Sequence, residues 1–189
     1  MLPSSPARQI AERISEQQAL ILAVTRDLTA TQLTAVAGPH APAIGFHLWH
    51  IARWADIVQA HLPTMDTTST SISGEEIWER EGLAAKWSLA DVELGYRDTG
   101  MGLTDSAAQA LALPDNKTLL AYATSTFAAA TQAASAVDNS RFVTPGHDPL
   151  GREITVGGAV LNHLLHLGRH LGMIEALRGV LGLHGTATR

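Results

Sequence analysis

The chain has 189 residues, 46% hydrophobic and 16% charged, with a formal net charge of -5, which is ample for one domain with a packed core and far from a disordered or collagen-like composition. Its 13 Lys and Arg are scattered rather than gathered into a stripe that could follow phosphates, so nucleic acid is not an expected partner. There is no cysteine, which excludes disulfides, thiolate nucleophiles and Cys-ligated zinc, so any thiol chemistry must use a thiol from outside.

From about Pro6 to Ala35, Ile10, Ile14, Ile21, Val24 and Leu28 recur at helical spacing and predict a long amphipathic helix. Gly38, Pro39 and Pro42 break it. A second stripe, Ile44, Leu48, Ile51, Ala55, Val58 and Leu62, predicts a helix ending near Pro63. Thr and Ser dominate Thr64–Ser73 and predict a surface loop, because their side chains compete for backbone hydrogen bonds. A short helix is expected over Gly74–Trp87, then mostly loop to Pro114, with glycines in the run RDTGMG. Asp115 and Asn116 mark the start of a third long helix carrying Leu120, Ala123, Phe127, Ala130, Ala134 and Val137. Past Pro145, Gly146 and Pro149, Thr155 can cap a fourth, with the stripe Val156, Val160, His163, Leu167, His170, Ile174, Leu177 and Leu181. No alternating strand pattern stands out. The expected fold is all-α: one domain over 1–189, a four-helix bundle with a long crossover link between helices two and three.

Five of the nine histidines fall in two helical segments, GFHLWHIARW with His47 and His50, and NHLLHLGRH with His163, His166 and His170. Steps of three and four return to nearly one face, so His163, His166 and His170 span an arc of about sixty degrees at 3.6 residues per turn. Two imidazoles four apart on one helix and a third from a facing helix can hold Zn(II), Ni(II) or Fe(II) with positions left open. Spacing alone leaves the other reading standing, that each is a hydrogen-bonded core or surface histidine. His40, His61, His147 and His184 read as surface or loop residues. Trp49, Trp54, Trp78 and Trp87 read as core or pocket wall, with Trp54 nearest the site. Arg53 and Arg169 read as solvated helix face or as an anchor for an anionic substrate. Gly168 and Gly172 would let a neighbouring backbone approach the histidine face. HExxH, ExxH, GxSxG and Walker-type patterns are missing.

HLWHIARWAD in the second helix and HLGRHLGMIEALRG in the fourth resemble the DinB-like superfamily, over most of the chain. The resemblance implies that a histidine opening an HIA-type segment and two histidines of an HxxxHxGQI-type segment bind metal, which falls on His50, His166 and His170. Met173 stands where that pattern often has Gln, which removes any polar role there. His47 and His163 are additional, as groups behind the ligands or substitutes for them. Relatives include bacillithiol- and mycothiol-dependent transferases and a maleylpyruvate isomerase, so the resemblance implies a metal-dependent thiol S-transferase or hydrolase of a small molecule, with Zn or Ni, or Fe, and an external low-molecular-weight thiol. It also implies a homodimer. Catalytic residues are not identifiable; Asp56, Glu75, Glu76, Glu79 and Glu175 are candidate bases only by position. A non-catalytic metal- or ligand-binding stress protein and a metal-free dimerising bundle are the competing readings. Met1–Arg13 lacks the apolar core of a secretory signal, and no stretch is apolar over the roughly eighteen residues of a membrane span, so the expected location is the cytoplasm, with no membrane partner.

Overall fold

The computed structural model describes residues 6–65 and 74–186. Helices dominate. Four have 18 residues or more: α1 (Pro6–Thr25), α3 (Ile44–His61), α7 (Asn116–Ser135) and α9 (Val156–Val180). Short helices lie between them: α2 (Ala30–Thr34), α4 (Ile77–Arg80), α5 (Leu83–Lys86), α6 (Asp105–Ala110) and α8 (Asn139–Phe142). No helix among the described residues is long and apolar enough to cross a membrane.

The boundaries follow from capping chemistry. The first helix stops at Thr25, earlier than its hydrophobic stripe suggested. There the Asn116 side chain donates to the carbonyls of Thr25, Arg26 and Leu28 at 2.9, 3.1 and 3.2 Å, and so satisfies the orphan end of α1. Asn116 therefore does not cap its own helix; Asp115 does, accepting from the Thr118 amide. The chain restarts as α2 behind a capping box of Thr29 and Gln32. The segment expected as one helix over Gly74–Trp87 is two, because Gly82 adopts a left-handed conformation (φ 60°) between α4 and α5. Most of the loop expected over Thr64–Ser73 lies outside the described residues.

One element was not foreseen. Strands β1 (Pro145–His147) and β2 (Glu153–Thr155) form an antiparallel hairpin leading into α9. Three-residue strands are too short to show an alternating pattern. Asp148 closes the turn by accepting from the Leu150 and Arg152 amides, and Thr155 caps α9 through the Gly158 amide.

Helices α1 and α3 each pack on both α7 and α9 but barely touch one another, which sets them at opposite corners. α3 is thus flanked by α7 and α9 and by short elements on its remaining sides, and nearly every residue of it is buried, polar ones included. That is why the polar side chains of α3 meet protein rather than water. The shared α3–α9 seam brings the two histidine segments face to face.

Candidate metal centre

His47 and His50 leave α3 one turn apart, and His163, His166 and His170 leave α9 over two turns. Among the described residues, His50, His166 and His170 form the group whose nitrogens lie within 4.8 Å of one another. The Nε2 atoms of His50 and His166 are 3.1 Å apart, close to the edge length of a coordination sphere with metal–nitrogen bonds of roughly 2.0–2.1 Å.

Two contacts behind these rings decide which nitrogen faces inward. His50 Nδ1 is 2.5 Å from the carbonyl oxygen of Thr99, and since a carbonyl only accepts, Nδ1 carries the proton and Nε2 is a bare lone pair. His170 Nδ1 is 3.0 Å from His47 Nδ1, so one of these two imidazoles donates to the other. Phe46 stacks on His50 with ring centroids 5.8 Å apart and an interplanar angle of 19°, and Trp54 packs edge-on against His166.

Burial holds all of these rings neutral. Desolvation, then the neighbouring imidazole of His50, lowers His47 from the ordinary 6.5 to about 4. Burial takes His50 to about 4, against a raising effect from its Thr99 bond. Burial, with adjacent histidines and the Arg169 guanidinium, takes His166 to about 3 and His170 to about 2. Three neutral imidazoles with converging nitrogens, one of them with its lone pair fixed inward, have the donor chemistry of a borderline divalent metal such as Zn(II) or Ni(II). The residues present fit such an ion.

The group opens onto a cavity of about 490 Å³, walled by Trp54, Val58, Leu62 and Met101 on one side and by Pro149, Leu150, Ala159 and Leu165 on the other. Its polar lining includes His61, Asp148, Arg152, Asn162 and Arg169. Arg152 pairs with Asp148, and although burial would raise the Asp148 carboxyl, the Arg152 side chain and the turn amides hold it below its usual range.

Several expectations change at this point. Arg53 is neither on a solvated face nor at the cavity: it is 1% exposed and bonded to Asp56, Glu76 and Tyr122. Asp56 and Glu76 belong to that cluster, Glu175 binds Thr186 near the end of α9, and Glu75 and Glu79 are exposed; none of the five candidate bases lines the cavity. His61 is buried rather than superficial and donates from Nε2 to the His147 carbonyl at 2.7 Å. His163 is buried, held at about 4 by desolvation, and neither of its nitrogens has a partner among the described residues. Among the described residues, a Cβ added at Gly172 would meet nothing within 4 Å and one at Gly168 would meet only Gln17 Oε1 at 3.9 Å, so no neighbouring backbone there uses the approach they offer. Thr99, Asp148 and Met101 carried no sequence signal of a site, Thr99 because it contributes a backbone carbonyl.

A mostly helical protein with a histidine cluster between two long helices is the class that fold and geometry define. The chain matches the family model of the DinB superfamily over residues 13–174, and it belongs to that family. A solved structure described as a conserved protein from Enterococcus faecalis has a similar fold: TM-score 0.77 at 13% identity, covering 95% of this chain and 99% of that one. No curated protein matches the chain.

Proposed function

We propose that this protein is a divalent-metal-dependent enzyme of the DinB-like kind, with His50, His166 and His170 as ligands and a small-molecule substrate in the adjoining cavity. The observation that carries this reading is the convergence of three neutral imidazoles on one point of the cavity wall. When bound, a divalent metal supplies Lewis acidity, lowering the pKa of a water or an external thiol toward neutrality. The reading is therefore a thiol S-transferase or a hydrolase, with Zn or Ni, or Fe, as the metal. His50 and His166 present Nε2, and His47 orients His170 through the Nδ1 contact. Trp54, Met101 and Leu165 give the cavity apolar walls, and Arg169, beside the histidines, is placed to hold an anionic group of the substrate. The same reading takes the long helices as one four-helix domain with a crossover link after α3, in a cytoplasmic homodimer; the exposed Leu161 and Val180 of α9, neither of which lines the cavity, offer it apolar surface.

One observation favours a second reading, a non-catalytic metal- or ligand-binding protein. The carboxylate in the cavity wall, Asp148, is already taken up by Arg152 and two backbone amides, so it is a poor general base. Metal content by mass spectrometry on untagged protein tests what the two share. Roughly one equivalent of a transition metal per chain, lost in both H166A and H170A, is expected; no metal after incubation with Zn(II) or Ni(II) would sink both. Turnover in a screen of thiols with electrophilic small molecules separates the enzyme from the binder.

A further inference from the structure

One turn beyond His50, the Arg53 guanidinium uses all of its N–H donors. Nη1 bonds Asp56 Oδ2 at 3.1 Å and the Tyr122 hydroxyl at 2.9 Å; Nη2 bonds Glu76 Oε2 at 2.6 Å and the Arg97 carbonyl at 3.0 Å; Nε bonds the Asp98 carbonyl at 3.0 Å. The last two acceptors and the Thr99 carbonyl, which accepts from His50, are consecutive along the chain. α3 therefore grips this loop at three successive carbonyls, two through Arg53 and the third through His50.

The loop takes a conformation that disfavours two of its residues. Arg97 and Asp98 are non-glycine residues in the left-handed region, at φ 48° and 54°, where the Cβ crowds the backbone. Trp78 Nε1 bonds Asp98 Oδ2, Arg97 pairs with Glu76, and the Thr99 hydroxyl donates to the Tyr96 carbonyl. Backbone bonds hold the amides of this loop, Asp98 N–H to the Gly95 carbonyl, Thr99 N–H to Tyr96 and Gly100 N–H to Leu94, while the carbonyls of Arg97 and Asp98 are held by Arg53.

We propose that Arg53 is a positioning residue for the metal centre: by fixing the Arg97 and Asp98 carbonyls it aims the Thr99 carbonyl at His50 Nδ1, which keeps the Nε2 lone pair turned toward His166 and His170. A lysine cannot replace it, because an ammonium has three donors on a flexible stem where the guanidinium has five in a planar fork. The assignment deepens the metal-centre reading and rests on it only for the effect on affinity.

Nitrogen-15 NMR of the metal-free protein reads the His50 tautomer directly, and cobalt(II) titration reads affinity and ligand-field spectrum. The wild type should show His50 protonated on Nδ1. In R53K the tautomer should become mixed, with cobalt binding weakened about tenfold to a hundredfold and an altered spectrum. Y122F, which removes one Arg53 partner on the side away from the loop, should lose stability while its tautomer, affinity and spectrum stay as in the wild type. A wild-type His50 protonated on Nε2 overturns the proposal, and needs no variant to fold. So does an R53K protein with wild-type tautomer and cobalt binding. If the wild type takes up no cobalt, the metal-centre reading fails, and the tautomer comparison still decides for or against Arg53.

Discussion

Two polar clusters sit side by side in the same core. Around Arg53, charge is matched by charge: the Asp56 carboxylate accepts from the Ile77 and Trp78 amides, from Gln59, from Arg53 and from the Tyr122 hydroxyl. Around His50 the opposite holds. Imidazoles face imidazoles, and His163, on α9 beside His166 and His170, has neither nitrogen bonded among the described residues. Burying an unpaired polar group costs on the order of 1–3 kcal/mol, so the first cluster is fully compensated whereas the second carries an uncompensated cost at His163. The helix they share explains their closeness: α3 is buried on every side, and its polar positions must find partners in protein or in a ligand.

Removing the keystone of the satisfied cluster should have the largest effect. Asp56→Ala leaves the Arg53 charge buried beside Glu76 alone and strips the amides that open α4, at an expected cost of about 3–5 kcal/mol. Urea unfolding should show a collapsed midpoint, whereas H170A of the metal-free protein should unfold close to the wild type. Equal losses in the two variants would erase the distinction between the clusters.

Acid should act on the other cluster. A histidine at 6.5 when unfolded and about 4 when folded binds its proton only in the unfolded state between those values. The unfolded state therefore gains as pH falls, and stability is complete above about pH 6.5 and is lost progressively toward pH 4, by about 1.4 kcal/mol per pH unit for each excluded proton. Denaturation midpoints of metal-free protein across that range check this; a flat profile would mean the imidazoles are not neutral in the fold.

The two clusters also differ in how far they could be read from the sequence. The long helices and the grouping of His50, His166 and His170 were legible because spacings of three and four put side chains on one face, and the family resemblance paired α3 with α9. Arg53 was misread because periodicity assumes that the polar face of a helix meets water, and α3 has no such face. His61 was misread for the same reason. The Thr99 carbonyl and the pairing of Arg97 and Asp98 in left-handed conformations were invisible, since a backbone acceptor supplied by a loop carries no residue-type signal. The hairpin before α9 was missed through its brevity, and with it Asp148, the cavity carboxylate.

His163→Leu sharpens the comparison most finely, because His163 lies on α9 among the histidines yet bonds to none of them. If its two unpartnered nitrogens are a pure cost, leucine of similar size removes that cost, and unfolding free energy at pH 7 should rise by about 1–2 kcal/mol. The acid profile should also become shallower between pH 6.5 and 4, because one excluded proton is gone. Metal content should not change, since the three converging nitrogens belong to other residues. The opposite pattern, unchanged or lower stability together with lost metal, would place His163 among the ligands after a rotation of its ring. It would also move the functional cluster one turn back toward the N-terminus of α9, where Asn162 lines the cavity.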